Sequence, residues 1–464
     1  MLRELPKELL LWICKFLQKD HILNLCLVCR RTNSIFTEAL FVCLVSDEIP
    51  PLFRAVTAQR LDIAARLIEE YHVNIDAEYA GQNALLLAIE LRYPQAVDLA
   101  LRYKPIVRCS CDSGGRGPLS LAVIGGNTAI VERILPSQEI DVNDRCLDRL
   151  SAIVYALKHR EHYILHLLLA DSRANVNFAD HFDRTPLQAA TLEGDHIATQ
   201  MLVRQAGIKI NHQSSYDDAS LLLAAKMLNQ QQSVRIVESP LLHSDLDLNI
   251  SDSEGRTALW HAVDRDHHDL VKLLVSQRHV RLNDADRYGM TPLARAAENP
   301  VLRILELLLK QPKICINSQT RQIVPPLWSA CRVGNFHAAK ALLRLRSVKV
   351  NQKSPTGTTP LQVAIILNHL SIVSLLLRQG DMVEINTRGP QQWTAIFFAA
   401  SNGYLGVTKS LLKHPDTDIS LIDDRGRSPL WWAEHGGHSR VVHLLRRHNR
   451  LKRQKRCLQR GVSH

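Results

Sequence analysis

The sequence predicts an all-α solenoid, a stack of about twelve helix pairs joined by hairpin-like fingers, behind a short N-terminal segment of three helices. Three observations predict it. A small dipeptide, usually Pro-Leu or Ala-Leu, recurs at steps of 33 to 35 residues from Pro51 to Pro429, with one step of 38. An alanine stands four residues after the start of every copy. The chain is 46% hydrophobic but only 5% aromatic. Burial therefore falls to Leu, Ile, Val and Ala, which suits packed helices better than a β-sandwich.

The copies are Pro51-Leu52, Ala84-Leu85, Pro118-Leu119, Ala152-Ile153, Pro186-Leu187, Ser220-Leu221, Ala258-Leu259, Pro292-Leu293, Pro326-Leu327, Pro360-Leu361, Ala395-Ile396 and Pro429-Leu430. The alanines in phase are Ala55, Ala88, Ala122, Ala156, Ala190, Ala224, Ala262, Ala296, Ala330, Ala364, Ala399 and Ala433. Residues i and i+4 share a helix face, and a small side chain there lets neighbouring helices pack closely. Thr185, Thr257, Thr291, Thr359, Thr394 and Ser428 precede the dipeptide as N-caps. Proline then occupies the first helical position, where its missing N–H costs nothing. Gly126, Gly194, Gly334, Gly403 and Gly437 follow as left-handed stops. A second amphipathic stretch comes next, such as LVKLLV at 270–275 or IVSLLL at 372–377. Asn143, Asn177, Asn211, Asn249, Asn283, Asn317, Asn351 and Asn386 stand nine residues before their dipeptides and read as turn residues bonding their own backbone. The fingers lie between turn and helix, as in NDADRYGMTPL at 283–293.

This pattern resembles the ankyrin repeat, D-x-x-G-x-T-P-L-H-x-A-A, with a Gly-bounded second helix and a V-N turn. The nearest copies are DRYGMTPLARAA, SPTGTTPLQVAI and DDRGRSPLWWAE, and the register spans 51–449. The resemblance implies a protein-binding scaffold. The histidine after T-P-L is missing; Trp260, Trp328 and Trp431 hold its position in three repeats and are expected to fill the slot between repeats. The repeats near 152 and 220 lack the hairpin glycine. The 38-residue step, with Gln230-Gln231-Gln232 and Ser239-Pro240, predicts an irregular stretch over 226–250: a loop or bent helix and a local break in stacking.

Residues 1–45 fall outside the register, and 46–50 link them to it. LPKELLLWICKFLQKDHILNLCLVCRRTNSIF reads as three short helices with Leu9, Ile13, Phe16 and Leu17 on one face. So short an apolar segment cannot enclose a core unaided; another protein or the first repeats must cover it. The segment resembles the F-box, matched at Leu5, Pro6, Glu8, Leu9, Leu10, Ile13, Leu17, Asp20, Val28, Cys29 and Arg30, with Ile22 in place of the usual leucine and Phe41 in place of the closing tryptophan. That resemblance implies a Skp-type linker subunit docked on Leu5, Pro6, Leu9, Leu10, Ile13, Leu17, Ile22, Val28 and Cys29, and a cullin beyond it. The alternative is a helical cap on the solenoid, which terminal repeats require.

No catalytic constellation stands out, and no cofactor or metal is expected. Ser113-Gly114-Gly115-Arg116-Gly117 lacks the lysine of a phosphate-binding loop and falls at a finger tip. His159, His162 and His166 straddle a turn and read as solvated residues rather than ligands. Cys26 and Cys29 form a single C-x-x-C without a second pair, and the ten cysteines form no disulfide framework. No signal peptide or membrane span is expected, which places the chain in the cytoplasm, the nucleus or both. Net charge is +11, of which Arg446–Arg460 contributes eight Lys or Arg and no acid. The basic tail, 450–464, reads as a nuclear import signal or the solvated end of the last helix; a nearly neutral body argues against nucleic acid.

Target recognition is expected on the concave face, from finger residues that precede the caps: Arg184, Arg256, Met290, Trp393 and Arg427. Arginine and large aromatics are favoured interface anchors. The function expected is a substrate receptor of an SCF-type ubiquitin ligase, its F-box on the linker subunit and its groove on an unidentified protein target. A plain ankyrin scaffold or inhibitor is the alternative.

Overall fold

Short helices with small residues in phase need a neighbour to lie against, because seven residues cannot hold a helix in water alone. The computed structural model describes residues 49–70, 72–103, 111–112, 114–144, 150–318 and 320–461, without the side chains of 453–461. The F-box-like segment 1–45, with every residue assigned to the linker subunit, lies outside them. The described residues fall into two compact units divided between Ser215 and Tyr216.

First helices start at the small dipeptide in every repeat. They are Pro51–Thr57, Ala84–Glu90, Pro118–Ile124, Ala152–Lys158 and Pro186–Leu192 in the first unit, and Ser220–Lys226, Ala258–Asp264, Pro292–Glu298, Pro326–Val333, Pro360–Ile366, Ala395–Ser401 and Pro429–His435 in the second. Each is followed by a second helix, giving 24 α-helices and no named β-strand among the described residues. Thr185 and Thr359 close capping boxes with Gln188 and Gln362, while Thr257, Thr291 and Ser428 accept an N–H from the third helical residue. Each cap is worth about 1 kcal/mol. Thr394 departs from the expectation: its side chain makes no cap bond and its hydroxyl is buried without a partner.

All twelve register alanines are buried, none more than 4% exposed. Within each unit they lie where successive first helices pack on one another. A larger side chain would push those helices apart, so the 34-residue step and the alanine are one requirement seen twice. In ten of the twelve repeats the position eight residues after the dipeptide start reverses the chain with a positive φ, from 63° at Gly126 to 81° at Gly334 among its glycines; the repeats at Ser220 and Pro292 leave the helix through an extended Met227 and Asn299 instead. Gln59, Arg92, Arg160, Asp266 and Asn368 take the same conformation without glycine, at roughly 1 kcal/mol of strain each. The fingers turn the same way: Asp183 and Asp217, at φ 58° and 56°, stand where other repeats have glycine. Gly289 is more tightly constrained, because a Cβ there would fall 1.9 Å from the Gln322 carbonyl oxygen.

The register asparagines do more than mark turns. Asn283 Nδ2 donates to the Lys313 carbonyl at 2.9 Å, and its Oδ1 accepts the Cys315 N–H at 2.8 Å. Asn177, Asn249, Asn317, Asn351 and Asn386 make the same pair of bonds to the following repeat. The expectation of bonds to their own backbone is corrected: one amide satisfies a donor and an acceptor of the next turn and locks the repeats in register.

The irregular stretch is also corrected. Gln230–Glu238 is an unbroken helix capped by Asn229, and it packs on the helix His268–Val275. The extra residues enter as an extended approach at Met227 and a 3₁₀ turn, Pro240–Leu242. The last helix runs from Ser439 to Gly461, so the basic run continues it.

Candidate protein-binding site

Six fingers, at Asp112, Asp180, Asp252, Asp286, Ser354 and Asp423, close on a residue whose N–H donates to the carbonyl four positions on and whose carbonyl accepts the N–H three positions on. In the second unit Asp252 N–H donates to the Arg256 carbonyl at 3.1 Å, and Gly255 N–H to the Asp252 carbonyl at 2.8 Å. The Asp252 carboxylate accepts the backbone N–H of Glu254 and Arg256 and pairs with the Arg256 guanidinium at 3.2 Å. Asp112 with Arg116, Asp180 with Arg184 and Asp423 with Arg427 repeat this arrangement. Asp112 also settles the Gly-rich run: its carboxylate takes the N–H of Gly114 and Arg116, the donors a phosphate would need.

The expectation that finger residues project is therefore corrected. Arg184, Arg256 and Arg427 fold back onto their aspartates, with side chains 31%, 33% and 19% exposed. Their guanidiniums also lie over rings, Arg184 over Phe182 at 4.5 Å and Arg427 over Trp432 at 4.1 Å. Met290 is half-buried against the core of the second unit. Trp393 is half-buried too: its ring lies 4.8 Å from Trp432, 5.1 Å from Phe398 and 6.0 Å from Phe397, and its Nε1 is buried without a partner.

Trp260 and Trp328 reach the next finger, as expected of the slot between repeats. Trp260 Nε1 donates to the Met290 carbonyl and Trp328 Nε1 to Thr358 Oγ1, each at 3.0 Å. Gln188 and Gln362 do the same from the same position, through their amides. Trp431 lies in the last repeat; it stacks on His435 and stays 38% exposed.

Sequence reasoning missed a charged row on the first helices of the second unit. Arg295 bonds Asp264 at 2.6 Å and Glu298 at 2.8 Å, and Arg332 pairs with Glu298 as well. Residues 264, 298 and 332 each fall six positions after a dipeptide start, so their phase was a signal. Single exposed pairs contribute little stability; here one buried carboxylate, Glu298, joins arginines from two successive repeats. His162 Nε2 lies 2.6 Å from Asp195, while His159 and His166 are exposed. Among the described residues no group of three or more His, Cys, Asp or Glu is placed to hold a metal, and no helix is long and apolar enough to cross a membrane.

The sequence pattern described as Ankyrin repeats (3 copies) matches residues 52–146, 119–214, 221–320, 316–388 and 381–455. The chain belongs to the ankyrin-repeat family. Its ankyrin repeats make it a protein-binding scaffold. Among its relatives are the glycerophosphocholine phosphodiesterase GDE1 of Candida albicans, 39% identical over 19% of this chain and 7% of that protein, and alpha-latrotoxin-Lg1a of Latrodectus geometricus, 35% identical over 18% and 6%. The human ankyrin repeat domain-containing protein 63 is 36% identical over 19% of this chain and 24% of its own. The chain thus matches no more than 24% of the length of any of these three. The crystal structure of the ankyrin repeat domain of Bcl-3, of the IkappaB protein family, is 25% identical and covers 49% of this chain and 98% of its own, with a TM-score of 0.43.

The finger aspartates make the ankyrin repeats sensitive to acid. Burial would raise each carboxyl, but it is outweighed by backbone N–H groups and the arginine at Asp112, Asp180 and Asp423, and by a backbone N–H and His261 ahead of the arginine at Asp252, so all four are held below the ordinary value. Asp423 is lowest, with Trp432 Nε1 added at 2.9 Å. Asp286, whose finger carries Met290 in place of arginine, is instead raised by burial. A depressed carboxyl contributes stability above its unfolded pKa of about 3.9 that is lost as pH falls through the folded value. Stability should therefore fall below about pH 4. At pH 7, Asp423→Asn should cost about 2 kcal/mol, the worth of lost charge-assisted bonds, whereas Asp286→Asn should cost little. Urea unfolding of both variants at pH 7 and pH 3.5 checks the sign.

Proposed function

We propose that this chain is a substrate receptor of an SCF-type cullin–RING ubiquitin ligase, its N-terminal segment docking a Skp-type linker subunit and its ankyrin repeats holding a target protein. The observation that carries the reading is the L-P-x-E-L-L segment from Leu5 to Leu10, joined to an ankyrin array in one chain. Such a receptor does no bond chemistry; it raises the local concentration of target and ubiquitin donor. Arg184, Arg256 and Arg427 are the proposed target contacts; Met290 and Trp393, packed against the core, support the finger from behind. The three arginines keep part of each guanidinium in solvent while pairing fixes its orientation, which reduces the entropy lost on binding.

The test is a pull-down of the purified full chain with linker subunit and cullin. Wild type should capture both, and the triple change Leu5→Ser, Pro6→Ala and Ile13→Ser should capture neither while its repeats keep their melting temperature. Failure of wild type to capture either subunit leaves a plain ankyrin scaffold or inhibitor.

A further inference from the structure

Beyond the finger face, the second unit carries a groove on its last two second helices. Leu412, Leu444 and Leu451 form its floor and Lys409, Lys413, Arg447 and His448 its rim, enclosing about 370 Å³. Leu444 and Leu451 lie seven residues apart on the helix Ser439–Gly461, and the sequence repeats that step at Leu458. Leu451 is 50% exposed, and Lys409, Lys413 and Arg447 are exposed as well.

The charge around the groove is one-sided. Neither helix, Leu405–Leu412 or Ser439–Gly461, contains an aspartate or glutamate, and none lines the groove. Arg446, on the same helix, pairs with Glu434 at 2.7 Å; Arg447 makes no ion pair among the described residues. A leucine floor with a cationic rim fits an apolar stripe flanked by carboxylates. It suits a nucleic acid strand poorly, because successive bases stack on successive rings and the lining offers three leucines and a single imidazole.

We propose that this groove docks an acidic amphipathic helix of a partner protein, with leucine-like anchors on the floor and Asp or Glu against the lysine and arginine rim. The site is separate from the finger face and does not depend on the ligase reading.

The probe is a fluorescent peptide of about sixteen residues with leucines at i, i+4, i+7 and i+11 and glutamates elsewhere, the helix-in-groove pattern. Its anisotropy is followed with the full chain. Saturable binding is expected, weakened by salt and roughly tenfold weaker for a scrambled peptide of the same composition, as when anchors are lost. Lys409→Glu with Lys413→Glu, and separately Leu451→Ser, should each weaken binding to a similar extent with unchanged melting. If the glutamate pair unfolds the last repeats, Lys409→Ala with Lys413→Ala replaces it. No binding by wild type, equal binding of the scrambled peptide, or displacement of the peptide by a single-stranded oligonucleotide or anionic vesicles would each overturn the proposal.

Discussion

Ala330→Phe is expected to lower the stability of the second unit by about 3 kcal/mol, at the upper end of what overpacking costs. Ala330 is fully buried. Its helix, Pro326–Val333, lies between Pro292–Glu298 and Pro360–Ile366 and packs on both. A ring at this point must separate helices that are too short to persist alone. Ala330→Gly is the informative contrast: it makes no overlap and should cost about 1 kcal/mol, mostly in helix propensity. Urea unfolding followed by circular dichroism reads both. A change within about 0.5 kcal/mol for the phenylalanine variant, the range of an ordinary surface substitution, would place Ala330 outside the contact.

Trp393→Ala is expected to cost about 3 kcal/mol, toward the lower end for deleting an aromatic that packs in a core. The ring touches Phe397, which is fully buried, and Trp432, which donates to Asp423. Its loss opens a cavity across the last two repeats. The melting temperature and the near-ultraviolet circular dichroism of the aromatic cluster should both fall. If Trp393 serves only as a surface contact, target binding would fall with melting unchanged, and the packing described above would be wrong.

The helices were legible because their requirements are local. A threonine cap, a proline at the first position and an alanine four residues into each copy all fall in one register, and the structure places the helices there. The left-handed stops were legible at Gly126 or Gly334, but Gln59 and Arg160 adopt the same φ with nothing in their residue type to announce it. Contacts between repeats were harder to read. The asparagine amides bond backbone 30 and 32 residues on, a distance that only the stacked geometry closes. Trp393 misled for a related reason. Its finger position suggested solvent, but Phe397, Phe398 and Trp432 come from two different repeats and meet around it. Asp252 and Arg256 could have been paired from their spacing of four, as could the other finger aspartates; the repeat pattern drew attention to the arginine alone.

Amide hydrogen exchange across the second unit, read by mass spectrometry, tests the stacked-repeat geometry most directly. Peptides covering 292–298, 326–333 and 360–366 should exchange slowly and together, while exposed finger-tip amides such as those of Ser253 and Thr356 exchange quickly. Isolated helices of this length have no protection of their own, so first helices exchanging as fast as the finger tips would contradict the packing of the buried alanines.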